Sequence, residues 1–291
     1  MKPAPFQYAR ARSLEHAHEL LDDGSDAKVL AGGQSLMPLM NLRLARPSFL
    51  VDITDIRELD TVVFDDASVT IGSLVRHRRL ELDRAIGTAV PLLSEAAGHI
   101  GHVAIRNRGT VGGSLAHADP AAELPAVMLA IKAIVCVESA RGRREIEAAN
   151  LFHSHYITNL AEDEIITSVR VPKIRATEGW GFVEFSRRPG DFALSGAACI
   201  VNRDAAGRIS EVRAVLIGAS DTPLLVSDQS ADGLQPSADL ARELAKEWTV
   251  DWRSGDHHRH RMATVALERA LVSAMGVSDV QRSVSEVKGT R

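Results

Sequence analysis

The first half of the sequence alternates short apolar runs with segments in which apolar residues recur at helical spacing. The predicted strands are 27–30, 49–53 and 68–73, and the predicted helices are 36–44, 75–83 and 91–98. Two glycine pairs, Gly32-Gly33 and Gly112-Gly113, interrupt this pattern and predict tight turns. Strands that alternate with helices in this way indicate a chain of mixed α and β structure.

The second half has more of the strict polar–apolar alternation that is typical of antiparallel strands. A helix is predicted at 124–131, strands at 133–138, 144–149, 164–171, 181–188, 194–203 and 209–220, and closing helices at 238–246 and 260–273. Pro172 ends one strand and the alternation strengthens after it, so we expect a domain boundary between residues 172 and 178. The predicted fold class is therefore α+β.

Composition and charge narrow the classes of partner. The 291 residues are enough for two packed domains, and 45% hydrophobic with 25% charged residues is ordinary globular usage. Aromatic residues are only 4%, which argues against a surface on which nucleic-acid bases stack. A formal net charge of −4 provides no positive field for nucleic acid or an anionic membrane. We therefore expect neither of these partners.

The two cysteines, Cys136 and Cys199, are too few for an iron–sulfur cluster or a four-cysteine zinc site. Both lie in hydrophobic surroundings, where a buried, reduced thiol is expected. The N-terminus has no apolar signal region, and no stretch reaches the roughly 20 apolar residues of a membrane span. These features predict a cytoplasmic chain without a membrane span.

Both glycine pairs have the composition of an anion-binding turn. The first, AGGQS (Ala31–Ser35), follows an apolar strand, and Ser35 is a good N-cap for the next helix. The second, TVGGS (Thr110–Ser114), has hydroxyl side chains on both sides. Glycine lets backbone amides approach a phosphate closely, so each pair is a candidate phosphate site. Neither matches the Rossmann or P-loop motif, and two plain turns remain the alternative.

Two carboxylates follow the second glycine pair, Asp119 and Glu123. Negative charge disfavours binding of a phosphate itself, but a carboxylate suits the hydroxyl groups of a ribose or ribityl chain. The alternative is a helix N-terminus that carries acidic residues for electrostatic reasons. The histidine-rich stretch 256–261 is predicted to be a solvated helix face rather than a metal site.

A family resemblance is carried by two stretches in this order, AGGQSLMPLMNLR and RNRGTVGGSLAHADPAAELP. Together they resemble the flavin-binding (medium) subunits of the molybdenum hydroxylases, the family of carbon monoxide, xanthine, nicotine and caffeine dehydrogenases. The resemblance extends to about residue 275. It implies an FAD-binding domain at 1–174 in two parts (1–56 and 57–174), of the vanillyl-alcohol-oxidase or PCMH-like type. It also implies a C-terminal domain at 175–291, with an antiparallel sheet and helices.

The resemblance also implies a set of cofactor-binding residues. Contacts with the FAD pyrophosphate are expected from Lys28, Val29, Leu30, Ala31, Gly32, Gly33, Gln34, Ser35 and Leu36, and from Thr110, Gly112, Gly113 and Ser114. Further expected contacts are Ile100 as an apolar wall, His117, Ala118 and Asp119 in the second motif, Glu123 on FAD hydroxyls, a backbone contact at Ile166, and Phe192 near the isoalloxazine ring. No catalytic side chain and no metal ligand is expected.

The implied function is electron transfer through FAD. Substrate would be oxidised at a molybdenum cofactor in a large subunit, and electrons would pass through two-iron two-sulfur clusters of a small subunit to FAD in this chain. The expected assembly is a dimer of heterotrimers. One alternative is a self-contained FAD-dependent oxidoreductase, and another is a nucleotide-binding module without redox activity.

Overall fold

The structure, a computed structural model, describes residues 2–22, 26–249 and 257–277. Near the N-terminus, β1 (Gln7–Arg10), β2 (Ala27–Leu30) and β3 (Phe49–Asp52) form a parallel sheet ordered β1-β3-β2. Helices α1 (Leu14–Leu21) and α2 (Leu36–Asn41) connect the strands. All four residues of β3 are buried because this strand lies in the middle of the sheet.

The second sheet has five antiparallel strands in the order β4-β5-β10-β6-β7. Its strands are β4 (Val62–Phe64), β5 (Ser68–Gly72), β6 (Ile134–Ser139), β7 (Gly142–Glu147) and β10 (Ile165–Pro172). A separate small hairpin is formed by β8 (Phe152–Ser154) and β9 (Ile157–Thr158). Strand β10 lies at the centre and ends at Pro172, as the sequence predicts.

Seven helices accompany this sheet in the part of the chain that the structure describes. They are α3 (His77–Leu82), α4 (Arg84–Ala89), α5 (Pro91–His99), α6 (Val103–Arg106), α7 (Val111–His117), α8 (Glu123–Ala130) and α9 (Ala148–Leu151). Every residue of α8 is buried, because the helix lies between α5 and the C-terminal sheet. Its position explains why its sequence is almost uniformly apolar.

The C-terminal sheet is antiparallel, in the order β11-β12-β13-β14. The strands are β11 (Glu178–Phe185), β12 (Ser195–Arg203), β13 (Ile209–Ile217) and β14 (Leu224–Leu234), and the helices are α10 (Ala238–Thr249) and α11 (His257–Ala274). Strand β12 has two buried faces. Ala198 and Ile200 join the core around α8, whereas Cys199 and Val201 join the core around α11. A side-chain period of two divides these residues between the two cores.

The α+β fold class predicted from the sequence is confirmed. Several elements were not predicted, among them β1, α1, α4 and β14. The predicted solvated face at 256–261 is only partly correct, because His260 is half-buried and its Nε2 lies 2.7 Å from the Thr249 carbonyl oxygen. Asp256 lies outside the described residues, as does the end of the predicted C-terminal domain, 278–291. None of the described helices is long and apolar enough to cross a lipid bilayer.

Candidate functional site: a cleft lined by two glycine segments

The first glycine loop (Ala31–Ser35) connects β2 to α2 and contains a run of unpaired backbone amides. Gly33 has φ +72, a left-handed conformation that glycine adopts without strain. Among the described residues, the amides of Gly32, Gly33, Gln34 and Ser35 donate to no carbonyl or side chain. Successive unpaired amides around a left-handed residue form a concavity that binds anions. The loop therefore has the donors that a pyrophosphate requires.

Ser35 departs from its predicted role in this loop. Its backbone is itself helical, with φ −104 and ψ −50, and its side chain makes no capping hydrogen bond. An N-cap residue instead needs an extended backbone to turn its oxygen back toward the helix amides. The prediction that Ser35 caps α2 is therefore wrong.

The second glycine segment (Thr110–Ser114) is the first turn of α7, so the predicted tight turn at Gly112-Gly113 is wrong. Thr110 is the N-cap, and its Oγ1 accepts from the Gly113 amide at 3.1 Å. The Ser114 amide donates to the Thr110 carbonyl, and the Val111 and Gly112 amides donate to carbonyls of the segment after β5. These four amides are all paired within the protein. The second phosphate-binding turn predicted from the sequence is therefore not formed by free amides.

The structure brings the two glycine segments together, although they are about 80 residues apart. A Cβ on Gly32 would collide with the carbonyl oxygen of Arg108, two residues before Thr110. A Cβ on Gly113 would lie 2.8 Å from Thr110 Oγ1, which must then shift, and 3.9 Å from the Ala31 Cβ in the first loop. The Arg76 side chain also donates to the Arg108 carbonyl. The backbone that leads into the second segment therefore packs directly against the first loop.

Beneath the second segment lies a buried histidine that sequence reasoning missed. His77 Nε2 is 2.9 Å from the Thr110 carbonyl oxygen, which can only accept, so Nε2 carries the proton. Burial lowers the pKa of His77 to about 4, and the ring is therefore neutral at physiological pH. A Cβ on Gly109 would lie 2.7 Å from its Nδ1. The ring thus fixes the backbone that leads into α7.

Buried carboxyl groups follow the C-terminal end of α7. The helix ends at Ala118, which has a left-handed backbone (φ 51), and Asp119 Oδ1 then accepts from the Ala121 amide at 2.9 Å. Glu123, the first residue of α8, is buried and has no ion-pair partner among the described residues. Burial, and then the negative charge of Glu184, raise the pKa of Glu123 to about 8. Glu123 is therefore protonated at neutral pH.

Glu184 on β11 is a second carboxyl group that the sequence did not single out. Burial raises its pKa to about 7, and its Oε2 is fully buried without a hydrogen-bond partner. A protonated carboxyl both donates and accepts, as a hydroxyl does. When protonated, the Glu123 carboxyl likewise offers a donor and an acceptor to the hydroxyl groups of a ribityl or ribose chain. That contact is the one predicted for this position.

The remaining predicted residues lie on neighbouring segments. Ile100 ends α5 and is buried, and its carbonyl accepts from Arg106 Nη1 at 3.1 Å. A Cβ on Gly190 would collide with the His102 ring, so the loop 186–192 lies against the segment that follows Ile100. Phe192 in that loop is 72% exposed, so most of its ring surface is available to a bound group.

Ile166 connects the central sheet to this region. It is buried in β10 at an irregularity of the β6–β10 register, and the next carbonyl, that of Thr167, accepts from the Ser73 amide at 3.0 Å. The Ser73 carbonyl in turn accepts from the Gly112 amide at 2.8 Å. In β2, Lys28 is exposed, whereas Val29 and Leu30 are half-buried, and Leu36 at the start of α2 is also half-buried. His117 is stacked on Tyr156, a contact that no sequence motif indicated.

These residues fit a dinucleotide cofactor. The first loop has unpaired amides, Gly32 packs closely against the backbone before the second segment, and carboxyl groups that are protonated or hydrogen-bonded follow α7. Residues 4–174 match the family described as the FAD binding domain in molybdopterin dehydrogenase, 59% of the chain. The chain belongs to this family. The predicted family resemblance is thereby confirmed, and this FAD-binding chain is an oxidoreductase subunit.

Relatives match between 77% and 95% of the FAD-binding chain. The nicotine 6-hydroxylase medium subunit of Paenarthrobacter nicotinovorans is 38% identical over 284 residues, 94% of this chain and 99% of the relative. In the same organism, the 6-hydroxypseudooxynicotine dehydrogenase complex subunit alpha is 48% identical over 225 residues, 77% of this chain and 76% of the relative. A carbon monoxide dehydrogenase structure from Hydrogenophaga pseudoflava has a TM-score of 0.88 at 33% identity, covering 95% of this chain and 99% of the matched chain.

Proposed function

We propose that this chain is the FAD-carrying electron-transfer subunit of a molybdenum-dependent hydroxylase or dehydrogenase. The observation that carries the proposal is the run of unpaired amides in the first glycine loop, held against the backbone of the second glycine segment. A pyrophosphate is the anion that this run fits within an FAD-binding family. FAD, when bound, supplies one- and two-electron chemistry, which no side chain of this chain provides.

Each part of the chain has its own task in this proposal. The amides of Gly32 to Ser35 bind the pyrophosphate, and Gly113, whose Cα would carry its Cβ within van der Waals distance of Ala31, lies next to this loop. Asp119 and the protonated Glu123 bind hydroxyl groups of the cofactor. The exposed Phe192 covers the isoalloxazine ring and limits the access of water and of the electron acceptor. The remaining cofactor contacts are those that the family resemblance implies.

In this proposal, electrons reach the FAD of this chain from another protein. The sequence has two cysteines, and Cys199 is buried in the C-terminal sheet, where burial raises the pKa of its thiol. Within the described ranges no three His, Cys, Asp or Glu side chains are placed to hold a metal ion. The matched relatives are named as medium, alpha or beta subunits of dehydrogenases. We therefore propose a small iron–sulfur subunit and a large molybdenum-cofactor subunit as partners, in a cytoplasmic dimer of heterotrimers.

Each of the three larger sheets belongs to one part of the proposed domain arrangement. The proposed parts of the FAD-binding domain are residues 1–56 and 57–174, and residues 175–291 are the proposed C-terminal domain, whose sheet packs against α8. The pairing of the Gly218 amide with the Pro120 carbonyl at 2.9 Å supports this arrangement, because it joins the C-terminal sheet to the segment just before Glu123.

The test is an absorption spectrum of the tagged chain purified from its native cell, with the co-eluting subunits identified by mass spectrometry. Flavin bands together with iron–sulfur absorbance and two unlike partner chains are expected. Flavin bands and substrate turnover in the chain alone would instead favour a self-contained FAD-dependent oxidoreductase. Binding of a nucleotide without flavin absorbance would contradict the proposal.

A further inference from the structure

A strained tyrosine occupies the tip of the small β8–β9 hairpin. Ser154 pairs with Ile157, so His155 and Tyr156 form a two-residue turn. Tyr156 has φ +59, a left-handed conformation that turns normally assign to glycine or asparagine. A bulky side chain there costs free energy that the surroundings must offset. Such residues concentrate at functional sites, where the strain serves an arrangement of side chains.

The Tyr156 side chain contacts two of the predicted cofactor-binding residues at once. Its ring stacks on His117, with centroids 4.9 Å apart and planes 26° from parallel. Its hydroxyl donates to Asp119 Oδ2 at 3.4 Å. Between these residues, Ala118 also has a left-handed backbone, with φ 51. Ala118 and Tyr156, both with strained backbones, therefore lie close together. Both contribute to the placement of His117 relative to Asp119.

The hairpin tip is held from the other side as well. His155 meets the Tyr156 ring edge-on, with centroids 4.4 Å apart, and its Nδ1 lies 3.8 Å from Asp221 Oδ1. Asp221 belongs to the segment between β13 and β14, so the tip bridges α7 and the C-terminal sheet. Tyr156 is nevertheless 50% exposed, which leaves little buried apolar area to justify its strained backbone on grounds of stability.

We propose that Tyr156 is a positioning residue of the FAD site, which holds His117 and Asp119 in the geometry that the cofactor requires. Without the ring, His117 loses its stacking partner, and without the hydroxyl, Asp119 keeps only the Ala121 amide on Oδ1. The inference rests on the proposed function, since it assumes that these two residues contact FAD. It adds a residue that comes from a different element of the chain.

The test uses the full chain, together with any subunits that copurify, after removal of FAD. Flavin fluorescence quenching gives the FAD dissociation constant, and thermal unfolding of the FAD-free protein gives its stability. Tyr156→Gly relieves the left-handed strain and removes both contacts, whereas Tyr156→Phe keeps the stack and removes only the hydroxyl. Lys132→Gly is the matched control, because Lys132 is also left-handed (φ 54) but lies after α8, where its ammonium group pairs with Glu211 of β13 and Asp228 of β14.

We expect Tyr156→Gly to weaken FAD affinity about tenfold or more while the unfolding temperature stays the same or rises. Tyr156→Phe should weaken affinity about threefold, a partial rescue by the retained ring. Lys132→Gly should leave affinity unchanged. Unchanged affinity in Tyr156→Gly, or a loss of affinity that only follows a loss of stability, would overturn the inference. Failure of the unmodified chain to bind FAD would overturn the proposed function itself and is separately visible.

Discussion

The two glycine segments have similar sequences, but the backbone amides of the first are unpaired whereas those of the second are hydrogen-bonded. In the first loop the residue before the Ala31-Gly32-Gly33 stretch is Leu30, whereas Thr110 precedes Val111-Gly112-Gly113. The Thr110 hydroxyl accepts from the Gly113 amide and starts α7 at the glycines. Leu30 has no such acceptor, so the corresponding helix begins only at Leu36 and leaves the loop amides unpaired.

This difference assigns the two segments different chemistry. The first loop offers amides, which bind an anion and do not titrate. The second segment has paired amides, and the side chains near it are His117 at the end of α7 and Asp119 and Glu123 after it. A sequence motif rich in glycine and hydroxyl residues is therefore not a sufficient sign of a phosphate site. The residue at the N-cap decides whether the amides remain available.

The largest effect is expected at the contact between the two segments. In Gly32→Ala the new Cβ collides with the Arg108 carbonyl oxygen, which belongs to backbone and cannot rotate away. We expect FAD affinity to fall at least about 100-fold, with a loss of about 3 kcal/mol in the free energy of unfolding. Flavin content of the purified protein and urea unfolding measure the two losses.

Gly98→Ala is the control for that substitution. Gly98 lies in α5, and a Cβ there would meet nothing within 4 Å. Alanine is the better helix former, so this variant should gain about 0.5–1 kcal/mol of stability and keep its FAD. If Gly32→Ala retained flavin as Gly98→Ala does, the close approach of the two segments would be irrelevant to the cofactor.

Much of the architecture could be predicted because its signals are local. Strand β2 is bounded by the glycine pair, and Pro172 ends β10 where the sequence breaks. The β1 strand was missed because it is short and mostly exposed, which leaves no apolar alternation to detect. The Ser13 hydroxyl, which accepts from the His16 amide, is a cap signal that would have indicated α1.

The candidate site was harder to predict because its contacts join distant parts of the chain. Glu184 affects Glu123 from a strand in the C-terminal sheet, and Tyr156 reaches His117 from a hairpin tip. No local motif marks either residue. The pairing of the Gly112 amide with the Ser73 carbonyl is likewise a tertiary contact, so the sequence alone could not distinguish a helix from a free turn at that position.

The carboxyl group beyond the second segment should give the chain a pH dependence that the first loop lacks. Because the pKa of Glu123 is about 8 when folded, and near 4.5 in an exposed glutamate, the folded chain retains a proton that the unfolded chain loses between these values. Stability should therefore fall as pH rises through this window. Glu123→Gln should reduce that fall by roughly 3 kcal/mol between pH 5 and pH 8.

Urea unfolding of the FAD-free chain at several pH values measures this effect. Glu58→Gln is the control, since Glu58 is exposed and its carboxyl has no partner among the described residues. That variant should follow the unmodified chain across the whole range. An unchanged pH slope in Glu123→Gln would mean that Glu123 is ionised in the folded chain, and its proposed role as a hydroxyl partner in the neutral form would be lost.

The smallest expected effect distinguishes the hydroxyl group of Thr110 from that of Ser35, each of which lies beside a glycine pair. Thr110→Ala removes the hydroxyl that caps α7, which should cost about 1 kcal/mol of unfolding free energy in the FAD-free chain. Ser35→Ala removes a hydroxyl that caps nothing, so its cost should stay below about 0.5 kcal/mol, while its FAD affinity falls about threefold. Equal stability losses in the two variants would mean that the segments are alike after all, and that the capping residue does not distinguish an anion-binding loop from a helix start.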